Sequence, residues 1–261
     1  MHEYPKISIV TVTYNCVDSV ERTICNVLEQ TYPNIEYIII DGASTDGTKE
    51  VIEKYADRLA YWISEPDKGI YDAMNKGIKA ATGEWINFMN AGDLFACVDT
   101  ISRVFSNNVY ENNVGVIYSD FILKYRWGTV YKKGSDNGIF RFCHQSEFVR
   151  LKCHKANYFN INYPIAADRK VLNDICSQGY RRVYVDLPIA IYQADTGVSS
   201  QNRLRLYEET HKANGGGKDI SYCIRCVYLW ICTKMYNILP KKLLYTWWRY
   251  KARRRNELID A

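Results

Sequence analysis

Ile7–Tyr14 reads ISIVTVTY, a run dominated by β-branched residues in which all but Ser8 are apolar, aromatic or Thr. Such a run predicts a strand buried on both faces, as in a parallel sheet. Outward from it, Val17–Gln30 carries Val20, Ile24, Val27 and Leu28 at helical spacing, and Ile35–Ile40 is a second buried strand. The turn-like Ala43–Gly47 opens a helix over Thr48–Tyr55, and Leu59–Ile63 reads as a short strand. A helix over Ile70–Ala81 stops at Thr82-Gly83, before a fourth strand at Trp85–Met89. Strands alternating with helices across about 90 residues predict βαβ units and a doubly wound, Rossmann-like α/β sheet.

The pattern then loosens. A helix is expected at Thr100–Phe105, strands at Val114–Tyr118 and Phe121–Tyr125, and Val130–Lys132 pairing behind them. Ala167–Ser177 and Arg203–Ala213 read as helices and Arg182–Asp186 as a strand, and the Gly run in Asn214–Lys218 reads as a hinge or loop. This divides the 261 residues into a nucleotide-binding α/β domain, 1–217, and a tail, 218–261. Composition is that of an ordinary globular protein, which excludes disordered and fibrous classes.

In an open parallel sheet, ligands bind beyond the carboxyl ends of the strands. Three polar clusters end strands here: Thr13-Tyr14-Asn15, Asp41-Gly42-Ala43-Ser44 and Asn90-Ala91-Gly92-Asp93. One site could gather all three. Neither GxGxxG nor GxxxxGK[ST] is present, which argues against a dinucleotide fold and a P-loop. Charged donors near the clusters are sparse, so a bound phosphate would need a metal ion, with Asp93 as an oxygen ligand.

The ordered motifs ISIVTVTYN, IIIDGASTDGT and SEPDKGIYDAMNKGIKAATGEWINFMNAGDLF resemble family 2 of the glycosyltransferases, the large inverting family with the GT-A fold, in its bacterial polysaccharide and O-antigen branch. The resemblance is dense over the first 95 residues and thin beyond. It implies a GT-A mixed central sheet flanked by helices, followed here by C-terminal amphipathic helices. Thr13, Tyr14, Asn15 and Asp41 would hold the nucleotide, although Gly42 stands where the family usually has a second acid. Asp67, Lys68, Asp72, Lys76 and Asn90 would line the donor site, the two lysines toward its phosphates; a plain Asp72–Lys76 surface pair is the bland alternative. Asn75 reads equally as a packing residue.

Asn90–Asp93 occupies the place of the family's acidic metal motif but keeps one acid, so Asp93 would bind Mg²⁺ or Mn²⁺ together with the donor diphosphate. Inversion needs a base for the acceptor hydroxyl. Asp168 is the candidate, with a helix N-cap as its plain alternative, and Asp120 is the backup. His144-Gln145 resembles an element that contacts acceptor or phosphate in relatives, and Ser199, in Gly197–Ser200, a loop that closes near the diphosphate.

The tail has its own signature. From Lys218 to Ala261, ten Lys and Arg face three acids, a net +7, while the remainder carries −2. Cys223–Leu239 is apolar nearly all round but interrupted by Arg225 and Lys234, too short an uncharged run to span a bilayer. Trp247, Trp248 and Tyr250 follow among cations. Aromatics favour the headgroup zone and cations favour anionic lipid, so a peripheral position on the inner face of the cell membrane is expected, with no nucleic acid partner. The apolar segment could also serve a homo-oligomer. Nine irregularly spaced cysteines and no leader-like N-terminus suggest the reducing cytoplasm. The expected reaction moves a sugar from a UDP-sugar to a hydroxyl of a polyprenyl-linked or oligosaccharide acceptor. A nucleotidyltransferase would be expected to show a Gly-rich basic loop after the first strand, and none is present. A non-catalytic nucleotide-sugar or glycan-binding module is the alternative of a different class.

Overall fold

A computed structural model describes residues 4–135, 143–195 and 202–259. The first half alternates as expected: β1 (Ile7–Thr13), α1 (Val17–Leu28), β2 (Ile35–Asp41), α2 (Thr48–Glu53), β3 (Tyr61–Ser64), α3 (Ile70–Ala80) and β4 (Trp85–Phe88). Then come β5 (Leu94–Phe95), α4 (Thr100–Phe105), β6 (Val114–Tyr125), β7 (Gly128–Lys132), a 3-10 turn (His144–Ser146), β8 (Glu147–Arg150), α5 (Leu151–Ala156), α6 (Ala167–Ser177) and β9 (Arg181–Gln193). The chain closes with α7 (Arg203–Ala213), α8 (Ile220–Ile238), α9 (Lys241–Arg254) and β10 (Leu258–Ile259).

The strands form one mixed sheet in the order β10-β7-β6-β8-β4-β1-β2-β3, with β9 parallel to β6 and antiparallel to β5. β3, β2, β1 and β4 run parallel, and β8 enters antiparallel to β4. Successive β1 residues feed opposite cores. Ile7 and Ile9 pack with Val20, Ile24 and Val27 of α1, whereas Val10 and Val12 pack with Met74 and Ile78 of α3 and Val171 and Ile175 of α6. A strand covered by helices on both faces is why ISIVTVTY shows no polar alternation.

Three departures from the expected elements have physical causes. β6 is one strand rather than two, because Asp120 within it is fully buried and receives bonds from Gly134 N (2.8 Å), Tyr184 Oη (2.7 Å) and Tyr131 Oη. β9 continues past Asp186 because Pro188 sits at a register shift against Asp120, where a missing N–H costs no ladder bond. β8 is a buried strand holding two charged residues, which hides it from hydrophobic patterning. Its Arg150 is 5% exposed and bonds Glu84 Oε1 (2.5 Å) and the carbonyls of Val114, Tyr110 and Glu111, with its guanidinium 4.4 Å from the Trp85 ring centroid. Arg150→Ala would strip the guanidinium donors from three carbonyls, of which Glu111 keeps only its bond from Val114 N (2.9 Å), and is expected to cost about 3 kcal/mol, read as a lowered denaturant midpoint.

The last residues return to the sheet. Leu258–Ile259 pairs with Thr129–Val130, Lys132 meets Glu257 at 2.5 Å, and Ala252 of α9 packs with Phe121, Leu123 and Val130. No helix among the described residues is long and apolar enough to cross a membrane.

Candidate active site

The turn after β2 is built around Asp41. With no solvent exposure, its carboxylate accepts from Ser44 N (3.0 Å), Ser44 Oγ (2.5 Å) and Ser64 Oγ (2.5 Å). Asn15, at φ 49°, locks this turn to the end of β1: its N–H donates to Ser44 Oγ and its Oδ1 accepts from Thr45 N. Asp41 therefore shapes the turn from within. Tyr14 is 63% exposed beside it, and the buried Thr13 hydroxyl has no partner among the described residues.

Gly42 leaves room for what lies over it. A Cβ there would sit 2.5 Å from Asp67 Oδ2 and 3.3 Å from the Tyr14 ring. Asp67 Oδ1 is bonded to Gly69 N (2.8 Å), which leaves Oδ2 leaning over the bare Gly42 backbone. The carboxylate of Asp67 thus fills the space that a side chain at 42 would take.

The two lysines differ. Lys76 is spent on Glu65 (2.8 Å) and the Pro66 carbonyl (2.8 Å), while Asp72 accepts from Lys68 N; the Asp72–Lys76 pair does not form. The Lys68 side chain is exposed and without a carboxylate among the described residues. Asn75 is a packing clamp, bonded both ways to the Phe159 backbone at 2.9 Å.

The turn after β4 is joined to two distant segments. Asp93 is 8% exposed, and Gln145 Nε2 donates to its Oδ2 at 2.7 Å. Asn90 Nδ2 lies 2.8 Å from His144 Nε2, and His144 Nδ1 lies 3.5 Å from Asp168 Oδ2. With the Asn90 amide as donor, Nε2 accepts and the ring proton sits on Nδ1, facing Asp168. Asn87 fixes the 3-10 turn to β4 by donating to the carbonyls of Gln145 and Glu147. Asp168 is not the N-cap of α6, a place held by Ala166. It lies in the first turn, where Oδ1 accepts from Arg169 N (2.7 Å).

Burial pushes the Asp93 carboxyl up to about 6, against the opposing pull of Gln145, His144, the Gln193 backbone and Arg22. The Glu147 carboxyl, 4% exposed behind the same turn, is raised well above the usual carboxylate range by burial and then by Asp168. Glu147, Arg22 and Glu209 carry no motif in the sequence. Glu209 of α7 accepts from the N–H groups of Ile165 and Ala166 (2.8 and 3.0 Å) and so fixes the start of α6. Nothing in their spacing marks them, because each acts through a long-range contact. The backup base, Asp120, is occupied by the three donors named above. Ser199, with Gly197–Ser200, lies outside the described residues.

No cluster of three or more His, Cys, Asp or Glu among the described residues could hold a metal alone. The donors present are nonetheless hard oxygens: Asp93, and Asn90 Oδ1, which is buried without a partner among the described residues. One carboxylate plus neutral oxygen fits Mg²⁺ or Mn²⁺ completed by substrate phosphates.

A mixed sheet with a parallel half, whose strand-end turns converge on an acid and a later helix start, defines a GT-A-type α/β protein. The chain belongs to glycosyl transferase family 2, whose model matches residues 8–175. It is 30% identical over 173 residues to a PGL/p-HBAD biosynthesis glycosyltransferase of Mycobacterium bovis, covering 63% of this chain and 64% of that protein. It is 35% identical over 92 residues to the putative teichuronic acid biosynthesis glycosyltransferase TuaG of Bacillus subtilis, 34% of this chain and 36% of that one. The chain thus spans less than two thirds of the length of these curated relatives. Its fold is similar to that of a mannosyltransferase from Pyrobaculum calidifontis in complex with GDP-Man and Mn²⁺ (TM-score 0.66, 21% identity, 85% of this chain and 67% of that one). It is also similar to S. aureus TarS 1–349 in complex with UDP (TM-score 0.62, 17% identity, 82% and 67%).

Proposed function

We propose that this chain is an inverting glycosyltransferase that moves a sugar from a UDP-sugar to a hydroxyl of a lipid-linked or polysaccharide acceptor. The observation that carries this reading is the line Asn90–His144–Asp168, which ties the turn holding the candidate metal oxygens to the candidate base. Tyr14 offers a ring face to the base, Asp67 Oδ2 an acceptor to the ribose, and Lys68 a cation to the diphosphate. Asn90 and Asp93 would hold the divalent ion, which supplies charge neutralisation at the leaving diphosphate. Asp168 takes the acceptor hydroxyl's proton as the new bond forms, and His144 holds its carboxylate in position.

The test is calorimetric titration of UDP with and without Mn²⁺. Binding that tightens at least tenfold with the ion supports a shared site; identical affinities contradict it. Gly42→Ala should push Asp67 Oδ2 aside and weaken UDP binding about tenfold at an unchanged melting temperature. Full affinity in that variant would remove Asp67 from the site.

The family position and the tail together support peripheral attachment to the cytoplasmic face of the membrane. α8 exposes Ile224, Val227, Trp230, Ile231 and Met235, and α9 exposes Trp247 and Tyr250 beside Lys241, Lys242 and Arg249. A cation near an anionic surface contributes about 1 kcal/mol. Trp247→Ala with Lys241→Glu and Lys242→Glu should release the protein from phosphatidylglycerol vesicles in a sedimentation assay; undiminished binding would move the anchor elsewhere.

A further inference from the structure

Between the β6–β7 hairpin and α9 lies an open groove of about 500 Å³. Its walls are the aromatic pair Tyr125 and Trp127, stacked at 4.6 Å and 18°, and three cations, Lys124, Arg126 and Arg249. None of the three side chains has a carboxylate partner among the described residues, and Arg126 and Arg249 are exposed. Asp195, the one acid among the described residues that line the groove, is engaged by the Arg126 backbone N–H at 2.5 Å. The groove is cationic and lined on one side by sugar-sized ring faces.

Two placements connect it to the rest of the molecule. Gln193, which lines it, stands opposite Lys124 in the sheet, and its backbone lies close enough to the Asp93 carboxyl to favour the charged form. The same β9 strand pairs Ile191 with Leu94, the residue after Asp93. The groove therefore adjoins the candidate catalytic turn. Its far wall, Arg249, belongs to α9, whose Trp247 and Tyr250 are about half exposed, while Leu244 is buried and Ala252 packs against the sheet residues Phe121, Leu123 and Val130.

We propose that this groove is the acceptor subsite, taking the phosphate- or diphosphate-bearing head of a sugar carried on a hydrocarbon chain. The three free cations would meet the phosphate, Tyr125 and Trp127 the sugar, and the exposed aromatics of α9 the start of the chain. This rests on the transferase reading above, since it supplies that reading with an acceptor class. On that reading the donor's diphosphate would sit at Asp93 and Lys68 instead, so the two anions should bind independently.

The experiment uses the full chain without metal and titrates farnesyl diphosphate, inorganic pyrophosphate and farnesol, with and without saturating UDP. Farnesyl diphosphate should bind at least tenfold more tightly than either fragment, with UDP present or absent. The double variant Arg126→Ala/Arg249→Ala, altered only at exposed side chains, should lose at least tenfold in that affinity and keep wild-type UDP binding. Pyrophosphate binding as well as farnesyl diphosphate would overturn the amphiphile, leaving a plain anion site. No binding, displacement by UDP, or unchanged affinity in the variant would overturn the groove itself. Those results with UDP binding intact spare the transferase reading. A wild-type protein that binds neither UDP nor any UDP-sugar sinks that reading, and the acceptor role with it.

Discussion

Asp93→Asn is expected to lower turnover by about 10³-fold or more and yet to stabilise the protein at pH 7.5. Replacing the one anionic oxygen proposed to hold the ion with a neutral amide would forfeit several kcal/mol of leaving-group stabilisation, and each 1.36 kcal/mol is tenfold in rate. The stability effect has the opposite sign. The carboxyl sits at about 6 in the folded chain against 3.8 for the free group, because burial penalises its charge. The folded state then binds the proton more tightly than the unfolded state. Stability contributed by the protonated group is complete below pH 3.8 and is lost as pH rises to 6. A shift of that size corresponds to a cost on the order of 3 kcal/mol at pH 7.5, which Asn removes while still able to accept from Gln145. Thermal melts of both proteins from pH 4 to 8 check this. The gain should be full above pH 6 and vanish near pH 4, and Mn²⁺ with UDP should narrow it by stabilising only the wild type. A variant less stable than wild type at pH 7.5 would mean that the buried carboxylate is needed by the fold.

Asp168→Asn is expected to lower the transfer rate about 10³-fold with the UDP dissociation constant unchanged, as removal of a general base should. Asp168 is joined to the turn after β4 through His144, 3.5 Å away, and lies on a different segment from the residues proposed to hold the nucleotide, so UDP affinity should not register its loss. His144→Ala, which frees the carboxylate without removing it, should cost less, about 10- to 100-fold. If Asp168→Asn instead lowered the melting temperature and spared the rate, its role would be confined to the Arg169 N–H it accepts from in the first turn of α6.

The parallel half of the fold was legible because its strands are long, apolar and separated by periodic helices; β1, α1, β2, α3, β4, α6 and α7 stand within a few residues of where patterning puts them. The antiparallel half was not. β8 is four residues with two buried charges, and β5 and β10 are two residues each, too short for any period to show. At the site, the residue types were readable but their partnerships were not. His144 lies 54 positions from the Asn90 it bonds, and Asp67 lies 25 from the Gly42 whose empty space it fills. Asp41 shows the converse: a residue marked by motif that is spent on Ser44 and Ser64 inside its own turn.

On the proposed reading the strand-end turns bind a sugar nucleotide and transfer its sugar with the help of an ion. The most direct measurement is UDP release from a panel of UDP-sugars by the purified protein, with Mn²⁺ and with EDTA, alongside Asp93→Asn. Release is expected from one donor, dependent on the ion and abolished in the variant. Release that persists in EDTA and in Asp93→Asn would contradict that reading.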